Sequence, residues 1–455
     1  MARVFLAILV CKFARRVLRL FGRGGTNLPG KLALKCCPDV LGRLGKQVHT
    51  VIITGTNGKT TSARMLEECY KQAEIIAFSN RSGANLLPGI TAQFVENASL
   101  FGKMRIQKAI IECDEAAFKL VAPFVDAKVV LVTNVFRDQL DRFGEITHTL
   151  NSIRIGLEGS PRATICINAD CALLVGMIDK LENPMVYYGT KTKLGGVSSD
   201  ATRETAPCKN CNTGLTYTYQ TYGHLGEYTC PACHWARPEL EVALTQVVKQ
   251  MPQSSDVMLQ VGQESFPASI NLPGDYNIYN ALGVTAASYA LGINNKIIAQ
   301  ALCQFKGGFG RMERFALGST TAQMILVKNP IGASQVLSYL AREEEPFALA
   351  ICLNDQGADG TDISWIWDVE TAAFSGMQEK LVALYCAGTR RDDLALWLKY
   401  AAVPEEKIKL APDMDKLLQE LSELSVPVCI MPTYTAMLHL REKLEKSHGL
   451  EKFWE

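Results

Sequence analysis

Short apolar runs, each followed by a polar loop and a helical pattern, recur along much of the chain. Residues 49–54 (HTVIIT) form a β-branched run of the kind that builds a buried parallel strand. Apolar residues then recur at helical spacing through residues 62–69. Residues 109–112 and 129–133 are further candidate strands, again followed by polar sequence. This rhythm predicts an α/β domain built on a parallel sheet.

The same rhythm restarts near residue 316. Four apolar runs there lead into polar loops or helices: residues 324–327, 347–353, 380–386 and 427–431. Four such βα units predict a second parallel sheet of the Rossmann-like type. We therefore expect three parts: a basic N-terminal segment (1–48), a central domain (49–315) and a C-terminal Rossmann-like domain (316–455).

Composition narrows the class of protein. Of the 455 residues, 48% are hydrophobic and 20% are charged, so each domain can bury a core. The net charge of +1 argues against a nucleic-acid partner. Fifteen cysteines, several of them inside apolar runs, fit a reducing compartment such as the cytoplasm better than a disulfide scaffold. No apolar stretch reaches the roughly 18 residues that a membrane span needs.

The amino terminus is the one region where charge is lopsided. Residues 1–35 carry eight basic side chains and no acidic one, around an apolar run at residues 4–10. Basic residues follow that run and no small-residue cleavage site does, so it makes a poor signal peptide. Two interpretations remain open: a helix whose apolar stripe packs on the body, or a basic amphipathic segment resting on an anionic membrane face.

A phosphate-binding loop is predicted directly after the first strand. The sequence Gly55-Thr56-Asn57-Gly58-Lys59-Thr60-Thr61 lies between that strand and a helix, which is the context such a loop requires. Glycines let backbone N–H groups turn toward phosphates, and the helix N-terminus adds positive potential. Lys59 would reach the outer phosphates of ATP, and the Thr60 hydroxyl would hold Mg²⁺. The first glycine of the standard motif is absent, because Ile53 occupies its position.

A carboxylate for Mg²⁺ is expected at the end of a neighbouring strand. Glu112 ends the apolar run at residues 109–111, and α/β sheets bind ligands at such strand ends. Asp114 and Glu115 open the next helix, where Asp114 fits a helix cap better than a metal ligand. The polar loop at residues 134–144 follows another strand and would face the same crevice.

These motifs, in this order, resemble those of Mur ligases and folylpolyglutamate synthases. The matching segments are GTNGKTT, IIECDE, TNVFRDQLDRFGE, INAD, LPGDYNIYNALG and GRMERF. Such enzymes use ATP to phosphorylate a carboxylate, and an amine then attacks the acyl phosphate. The resemblance implies that Asn277 and Asn280, on one helix face, lie near the nucleotide and that Arg311 contacts its ribose or phosphates. Taken alone, the two asparagines would fit helix capping better.

The chain departs from that family's pattern in its amino-acid-binding half. Gln139 stands where most Mur ligases have a His that helps hold a second Mg²⁺. Residues 143–179 contain no lysine for the carbamate that those enzymes carry. The usual Asp-x-x-His-Asn-Pro of the C-terminal domain appears as Ile325-Leu326-Val327-Lys328-Asn329-Pro330. The ATP half therefore looks intact and the amino-acid half altered.

A zinc ribbon is predicted as an insertion at about residues 200–240. Cys208-x-x-Cys211 and Cys230-x-x-Cys233 are separated by eighteen residues, the spacing of two knuckles that close one tetrahedral Zn²⁺ site. Four thiolates leave no open position for water, so the expected role is structural. The stretch has no basic patch with interleaved aromatics, so nucleic-acid binding is not expected of it.

The segment Asn354 to Asp362 is the most unusual feature of the C-terminal domain. It lacks the oxygen ligand and glutamate that a calcium loop needs, and an Asx-rich turn is one interpretation. With GRGGTNLPG, RDQLDRFGE and the four cysteines, it also resembles one branch of the family, the MurT proteins. These act with a GatD-type glutamine amidotransferase subunit. The resemblance implies that Asp355 orients the partner's His, as the third member of a triad does.

The resemblance implies ATP-dependent amidation of the α-carboxyl of D-glutamate in the stem peptide of lipid II, through an acyl phosphate and ammonia from the glutaminase partner. The expected cofactors are ATP, Mg²⁺ and Zn²⁺, and the expected location is the cytoplasm at the inner face of the membrane. The alternatives are a stand-alone Mur or folylpolyglutamate-type ligase, which the altered residues disfavour, and a zinc-ribbon ATPase that regulates or binds nucleic acid.

Overall fold

The computed structural model describes residues 2–20, 27–80, 84–136, 146–194, 205–251, 253–307 and 311–448. Its helices α1 to α15 are Ala2–Leu20, Asn27–Cys36, Val40–Gly45, Lys59–Gln72, Leu87–Glu96, Glu115–Val121, Ile146–Glu158, Ala172–Met177, Asp275–Ala290, Asn295–Gln304, Pro330–Leu340, Ala373–Met377, Arg391–Tyr400, Met414–Ser422 and Tyr434–His448. Strands β1 to β17 are His49–Thr54, Phe78–Ser79, Lys108–Glu112, Asp126–Val132, Thr164–Asn168, Met185–Thr190, Thr216–Gln220, Gly226–Thr229, Val242–Gln250, Ser255–Val261, Glu264–Ile270, Arg311–Leu317, Thr320–Ile325, Phe347–Cys352, Leu381–Ala387, Ile408–Leu410 and Val428–Pro432.

The central domain is built on one large sheet. Among the described residues, nine strands pair in the order β11-β10-β9-β6-β5-β4-β1-β3-β2. All neighbours from β9 to β2 are parallel, and β10 and β11 add an antiparallel edge. The β-branched run of β1 is buried along almost its whole length, as the sequence predicts for a strand covered on both faces. The carboxyl ends of β1, β3 and β4 lie side by side, so their following loops share one edge.

The zinc-ribbon segment occupies a crossover connection of this sheet. Strands β6 and β9 are parallel neighbours, and the chain between them contains the β7–β8 hairpin and all four paired cysteines. A crossover between parallel strands is usually helical. Here a small ribbon takes that place.

A second sheet forms the core of the C-terminal domain. Its described strands pair in the order β12-β13-β17-β14-β15-β16, parallel from β13 to β16. The four strands expected from the sequence are therefore present. Two were not expected: the short edge strand β16, and β12, which pairs antiparallel with β13. Phe315 and Leu317 of β12 belong to the core of this sheet, so the second sheet includes residues that precede the boundary expected at residue 316.

The N-terminal segment is helical and packs on the central domain. Val4, Ala7, Ile8 and Cys11 of α1 are buried in the same core as β1. This is the packed stripe that one interpretation of the sequence anticipated. None of the described helices is long and apolar enough to cross a bilayer.

Polar contacts join the two domains across the crevice. Asn329, at the start of α11, donates from Nδ2 to Asn57 Oδ1 at 3.0 Å. At the other end of α11, Arg342 pairs with Asp275, the first residue of α9, at 3.0 Å. One helix of the C-terminal domain thus spans from the phosphate loop to the start of α9.

Candidate active site

The loop after β1 has the backbone of a phosphate-binding turn. Gly55 and Gly58 have φ values of 121° and 85°, a region that side chains with a Cβ rarely adopt. A Cβ on Gly55 would collide with Thr133, and one on Gly58 with Asn280. Both glycines are therefore required by close approach as well as by conformation. Helix α4 begins at Lys59, so the backbone N–H groups of its first turn point toward the space in front of this loop.

Lys59 is buried beneath the loop. Its Nζ donates to Gly55 O at 2.5 Å and to Thr56 O at 3.3 Å, and it pairs with Glu115 Oε1 at 2.9 Å. Both Lys59 and Glu115 are almost inaccessible to solvent. Burial alone would lower the pKa of Lys59, but Glu115, Asp114 and Glu112 outweigh it and the pKa rises. The lysine is therefore charged.

Glu115 is the buried counter-ion of Lys59, a role that the sequence analysis did not assign to it. Burial raises its pKa, and the charges of Lys59 and of Lys328 from the C-terminal domain oppose that rise. The preceding residue, Asp114, caps this helix as predicted, because its Oδ1 accepts a hydrogen bond from Ala116 N at 3.0 Å. The sequence feature that points to Glu115 is its position in the first turn of the helix after β3. Because β3 lies beside β1, an acidic side chain there can reach Lys59.

Thr60 and Glu112 lie together, as a Mg²⁺ site between β1 and β3 requires. Thr60 Oγ1 donates to Glu112 Oε2 at 2.7 Å. The Glu112 backbone is fixed by Asn80, which accepts from its N–H at 2.8 Å and donates to its C=O at 2.7 Å. A hydroxyl and a carboxylate oxygen at one edge suit a hard cation that keeps several waters.

Asn57 and its neighbours hold the loop against β4. Asn57 N donates to Asn134 Oδ1 at 2.9 Å, and its carbonyl accepts from Thr133 Oγ1 at 2.8 Å. Its side chain accepts from Asn329, as described above. Thr61 is buried in the first turn of α4. Hydrogen bonds from both domains therefore position the loop at Asn57.

Asn277 and Asn280 line the same loop from α9. Asn280 Oδ1 lies against Gly58, and its Nδ2 donates to Asn277 Oδ1 at 3.0 Å. Asn277 donates back to Pro273 O at 2.7 Å. Their helix therefore contributes to the loop's surroundings, and their place near a nucleotide stays a prediction. Arg311 lies in β12 with a side chain outside the described atoms, and the loop containing Gln139 lies outside the described residues.

The C-terminal domain contributes a second feature that the sequence analysis missed. The sequence identifies Lys328 and Asn329 only as part of an altered Asp-x-x-His-Asn-Pro motif. In the structure the fully buried Asn329 bonds Asn57 and also caps α11, accepting from Gly332 N at 2.8 Å. Lys328 lies close enough to affect the pKa of Glu115. Pairing of residues this far apart in sequence leaves no local signal.

The four paired cysteines lie close enough together to hold one metal ion. Their sulfur atoms all lie within 4.8 Å of one another, with Cys208–Cys233 at 3.5 Å and Cys211–Cys230 at 3.4 Å. Tetrahedral zinc with Zn–S bonds of about 2.3 Å places its sulfurs about 3.8 Å apart, so the set fits that ion. Asn212 and His234 both have a φ of 60°, each four residues after the first cysteine of its knuckle. His234 is therefore a turn residue.

A buried acid anchors the ribbon to the sheet. Asp170, in the loop after β5, accepts from Arg237 at 2.5 Å, from Tyr279 at 2.7 Å and from Thr190 N at 2.9 Å. Arg237 follows the last knuckle, and Tyr279 lies on α9 beside the two asparagines. The ribbon is therefore connected to the helix that borders the phosphate loop.

Asp355 lies at the carboxyl edge of the second sheet, after β14. Its Oδ1 accepts from Thr389 Oγ1 at 2.9 Å, and its Oδ2 pairs with Arg390 at 3.1 Å. These two hydrogen bonds lower the pKa of Asp355. The side chain remains about one-third exposed (31%), so the carboxylate is charged and open to a partner.

The other two acids of this loop differ from one another. Asp362 accepts from Ser364 N at 2.8 Å, as a turn residue does. Asp359 was expected to be a turn residue too, but it is buried and accepts from Thr435 N at 2.7 Å and from its hydroxyl. These bonds join the loop to the start of α15, so the interpretation of the segment as an Asx-rich turn is wrong for Asp359.

Comparison with known families and structures places this geometry in context. Residues 53–230 match the Mur ligase middle domain, and residues 326–437 match the MurT ligase C-terminal domain. Similar solved structures are a pseudomurein peptide ligase type C from Methanothermus fervidus (TM-score 0.67, 19% identity, 88% of this chain and 79% of that chain) and MurF from Acinetobacter baumannii (TM-score 0.67, 16% identity, 92% and 81%). Folylpolyglutamate synthase from Mycobacterium tuberculosis also matches (TM-score 0.61, 14% identity, 89% and 93%). These confirm the predicted fold class.

Curated relatives match along nearly the whole chain. The lipid II isoglutaminyl synthase (glutamine-hydrolyzing) subunit MurT of Streptococcus pneumoniae is 34% identical over 98% of both chains. The protein of the same name from Staphylococcus aureus strain N315 is 32% identical, again over 98% of both. Identity at this level over the full length, together with the matching C-terminal domain, shows that the chain belongs to the MurT family of Mur-type ligases.

Proposed function

We propose that this protein is the ligase subunit of an ATP-dependent amidotransferase that converts the α-carboxyl of D-glutamate in the lipid II stem peptide to D-isoglutamine. The observation that carries the ligase half is the cluster of Lys59, Thr60 and Glu112 at one edge of the central sheet. The names of the relatives support the substrate and the amidation.

The chemistry is phosphorylation followed by amide formation. The substrate carboxylate attacks the γ-phosphorus of ATP, ADP leaves, and an acyl phosphate forms. Ammonia adds to the acyl carbon, a proton is lost, and inorganic phosphate leaves as the amide forms. Mg²⁺, when held by Thr60 and Glu112, neutralises charge on the phosphates. The protein would position the substrate carboxylate and ATP and neutralise the charge on the phosphates, and it would form no covalent bond to either.

Each described loop residue has a part in this scheme. Backbone N–H groups of the loop from Gly55 to Thr61 would cradle the phosphates, and Lys59 would reach the outer ones. Asn277 and Asn280 would border the nucleotide from α9. For Arg311 the proposed contact with ribose or phosphates rests on the family resemblance alone.

We propose ammonia as the nucleophile, supplied by a GatD-type glutaminase subunit. An amino acid would need a binding site, and the Asp and His that the C-terminal motif of ordinary Mur ligases carries are replaced here by Ile325 and Lys328. Asp355 would orient the His of the partner's Cys–His pair, because its carboxylate is charged, fixed on one side by Arg390 and open on the other. The expected location is the cytoplasmic face of the membrane, where lipid II is made.

Zn²⁺ is proposed to stabilise the ribbon and to take no part in the reaction. The four thiolates would fill its coordination sphere and leave no position for substrate. The nearest functional connection runs through Arg237 and Asp170 to α9, so loss of the ion would act on the site through the fold.

The test of the ligase half is ATP-dependent amidation of lipid II with free ammonia. Lys59→Ala should abolish turnover; it also leaves Glu115 buried without its ammonium partner, so circular dichroism should confirm that the destabilised chain is still folded. Glu112→Ala should abolish turnover through loss of Mg²⁺ binding. Lys296→Ala, an exposed lysine on α10, is the matched control and should retain full activity. Full activity of Lys59→Ala would refute the assignment. Turnover with an amino acid but not with ammonia would favour the stand-alone ligase instead.

The test of the partner half compares two nitrogen sources. Asp355→Asn should severely cut amidation driven by glutamine in the complex and spare amidation driven by high free ammonia, because an amide neither fixes the imidazole tautomer nor stabilises the imidazolium. Asp362→Asn is the control, since Asn also suits that turn. Equal loss with both nitrogen sources would mean that Asp355 serves the fold or the ligase reaction.

A further inference from the structure

The outer face of α1 is apolar although it faces solvent. We define this face by Phe5, Leu6, Leu9, Phe13 and Leu20, all of them exposed; Leu6 is 49% and Phe13 is 67% accessible. The opposite side of the same helix is the stripe buried against the central domain. A helix that is apolar on both sides is normally enclosed. The inner side of α1 packs on the central domain, whereas the side chains of the outer face remain exposed.

A second segment extends this apolar surface. The turn before β3 presents Phe101, which is 86% accessible, and its ring lies 6.1 Å from that of Phe5. The turn is fixed to α1 because Lys12 Nζ donates to Ala98 O at 2.5 Å. Two separate parts of the chain therefore place large apolar side chains on one surface. Contiguous exposed apolar surface of this kind marks a binding site more often than an accident of packing.

The surroundings of this surface are basic. Arg3, Arg16, Lys103 and Arg105 are exposed on α1 and the turn. Helices α1 and α2 and residues 97–105 contain no acidic residue, although the whole chain has a net charge of only +1. Arg15 pairs with Glu96 at 3.6 Å and Lys12 is held by carbonyls, so these two face inward. The exposed cations are the ones that border the apolar surface.

We propose that the outer face of α1, together with Phe101, docks on an anionic lipid bilayer, with the helix lying in the plane of the interface. Apolar side chains would enter the boundary between headgroups and acyl chains, and the bordering arginines and lysines would contact lipid phosphates. Symmetric pairing of two copies through this surface would oppose Arg3, Arg16 and Lys103 of each copy, which like-charge repulsion disfavours. A bilayer satisfies both the apolar and the basic character.

Docking in this way is compatible with the proposed reaction. The turn that carries Phe101 precedes β3, whereas Glu112 ends that strand. The docked surface and the phosphate loop therefore lie at opposite ends of the strand, and the crevice stays open. The evidence for docking does not depend on the proposed function. Only the biological role of docking does, because a lipid-linked substrate would have to be reached at the membrane.

The test is flotation of the full-length protein with vesicles, without ATP or substrate. Vesicles of phosphatidylcholine alone are compared with vesicles of equal parts phosphatidylcholine and phosphatidylglycerol. The protein should float with the anionic vesicles and much less with the neutral ones, and added salt should weaken the binding. Failure of the unaltered protein to float with anionic vesicles would overturn the proposal.

Paired variants separate the outer face from general stickiness. Leu9→Ser with Phe13→Ser should lower the partition coefficient at least about tenfold, because each removes apolar surface that enters the bilayer. Leu396→Ser with Tyr400→Ser is the control: these are exposed residues with the same spacing on α13, and flotation should not change. Equal loss in both pairs would overturn the proposal.

Charge and competing partners are tested with the same readout. Arg16→Glu with Lys103→Glu should weaken binding to anionic vesicles by about tenfold or more and leave neutral vesicles unaffected. Concentration-dependent self-association, or co-elution with the glutaminase subunit, that is lost in the Leu9 and Phe13 variant would show a protein interface and overturn the proposal. Amidation of a soluble stem peptide should be unchanged in that variant. If the unaltered protein floats but does not amidate, the proposed function fails and the docking stands.

Discussion

Replacing Glu115 by glutamine should destabilise the nucleotide-free protein and make the bound nucleotide more stabilising. Glu115 is the buried counter-ion of Lys59, 2.9 Å from its Nζ. Glu115→Gln keeps the shape and removes the charge, so the buried ammonium loses its main partner. In the nucleotide complex, phosphates would take over that role. The substitution should therefore matter most when the loop is empty.

The size of the effect follows from the geometry. At 2.9 Å and an effective dielectric constant of about 20, the attraction is about 6 kcal/mol before the cost of burial. Breaking a buried ion pair typically costs about 3–5 kcal/mol. Lys59 keeps its carbonyl acceptors at Gly55 and Thr56, so we expect about 3 kcal/mol, or a fall of about 6–12 °C in the unfolding midpoint.

The assay is thermal unfolding with and without Mg²⁺ and ADP. Without nucleotide the midpoint of Glu115→Gln should fall by the amount given above, and saturating nucleotide should remove most of the difference. Glu405→Gln is the matched control, because Glu405 pairs with Lys399 at 3.0 Å on the surface and should cost under about 1 kcal/mol. Unchanged stability of empty Glu115→Gln would refute the reasoning. So would lost nucleotide binding, which would make Glu115 a ligand.

Three further predictions concern structure around the site. Cys208→Ser should abolish zinc binding, as measured by metal analysis. It should clearly lower the unfolding midpoint but leave the turnover per folded molecule nearly unchanged; a zinc-free variant of unchanged stability would contradict this. Asp170→Asn should cost about 3–5 kcal/mol in urea unfolding, because the buried Arg237 would lose its buried carboxylate and keep only the more exposed Glu227; a cost under about 1 kcal/mol would not fit a buried pair. Asn329→Ala should lose about 1 kcal/mol of helix capping and, without the bond to Asn57, give a larger radius of gyration by X-ray scattering; unchanged dimensions would show that this bond does not hold the domains together.

Local spacing was enough to locate much of the candidate site. The glycine loop, Lys59 and the paired cysteines are defined by residues a few positions apart, so strand, turn and helix signals bring them together without knowledge of the fold. Glu112 needed one more step, the rule that parallel strands present their carboxyl ends at one edge. Its contact with Thr60 agrees with that rule.

Tertiary structure decided what the sequence could not. Asn329 meets Asn57 only because the two domains close on one another, and no local pattern encodes that approach. Asp359 reads as a turn residue within its loop, but the fold buries it against α15. The motif of β12 continues the series of the central domain, so the sequence predicts that this strand belongs there. Its pairing with β13, and the burial of Phe315 and Leu317 in the core of the second sheet, depend on tertiary packing that the order of motifs does not describe.

The ribbon between β6 and β9 has a consequence for how the chain folds. Parallel neighbours joined by a long connection pair late, because the entropy of closing that connection precedes any gain from the new strand. A metal ion bound by both knuckles would shorten the connection before β9 pairs with β6. Without the metal, the open edge of β6 would remain unpaired for longer and could recruit another chain. Zinc supply during synthesis would then govern the yield of native protein, and a refolding experiment should show a slow phase that zinc accelerates.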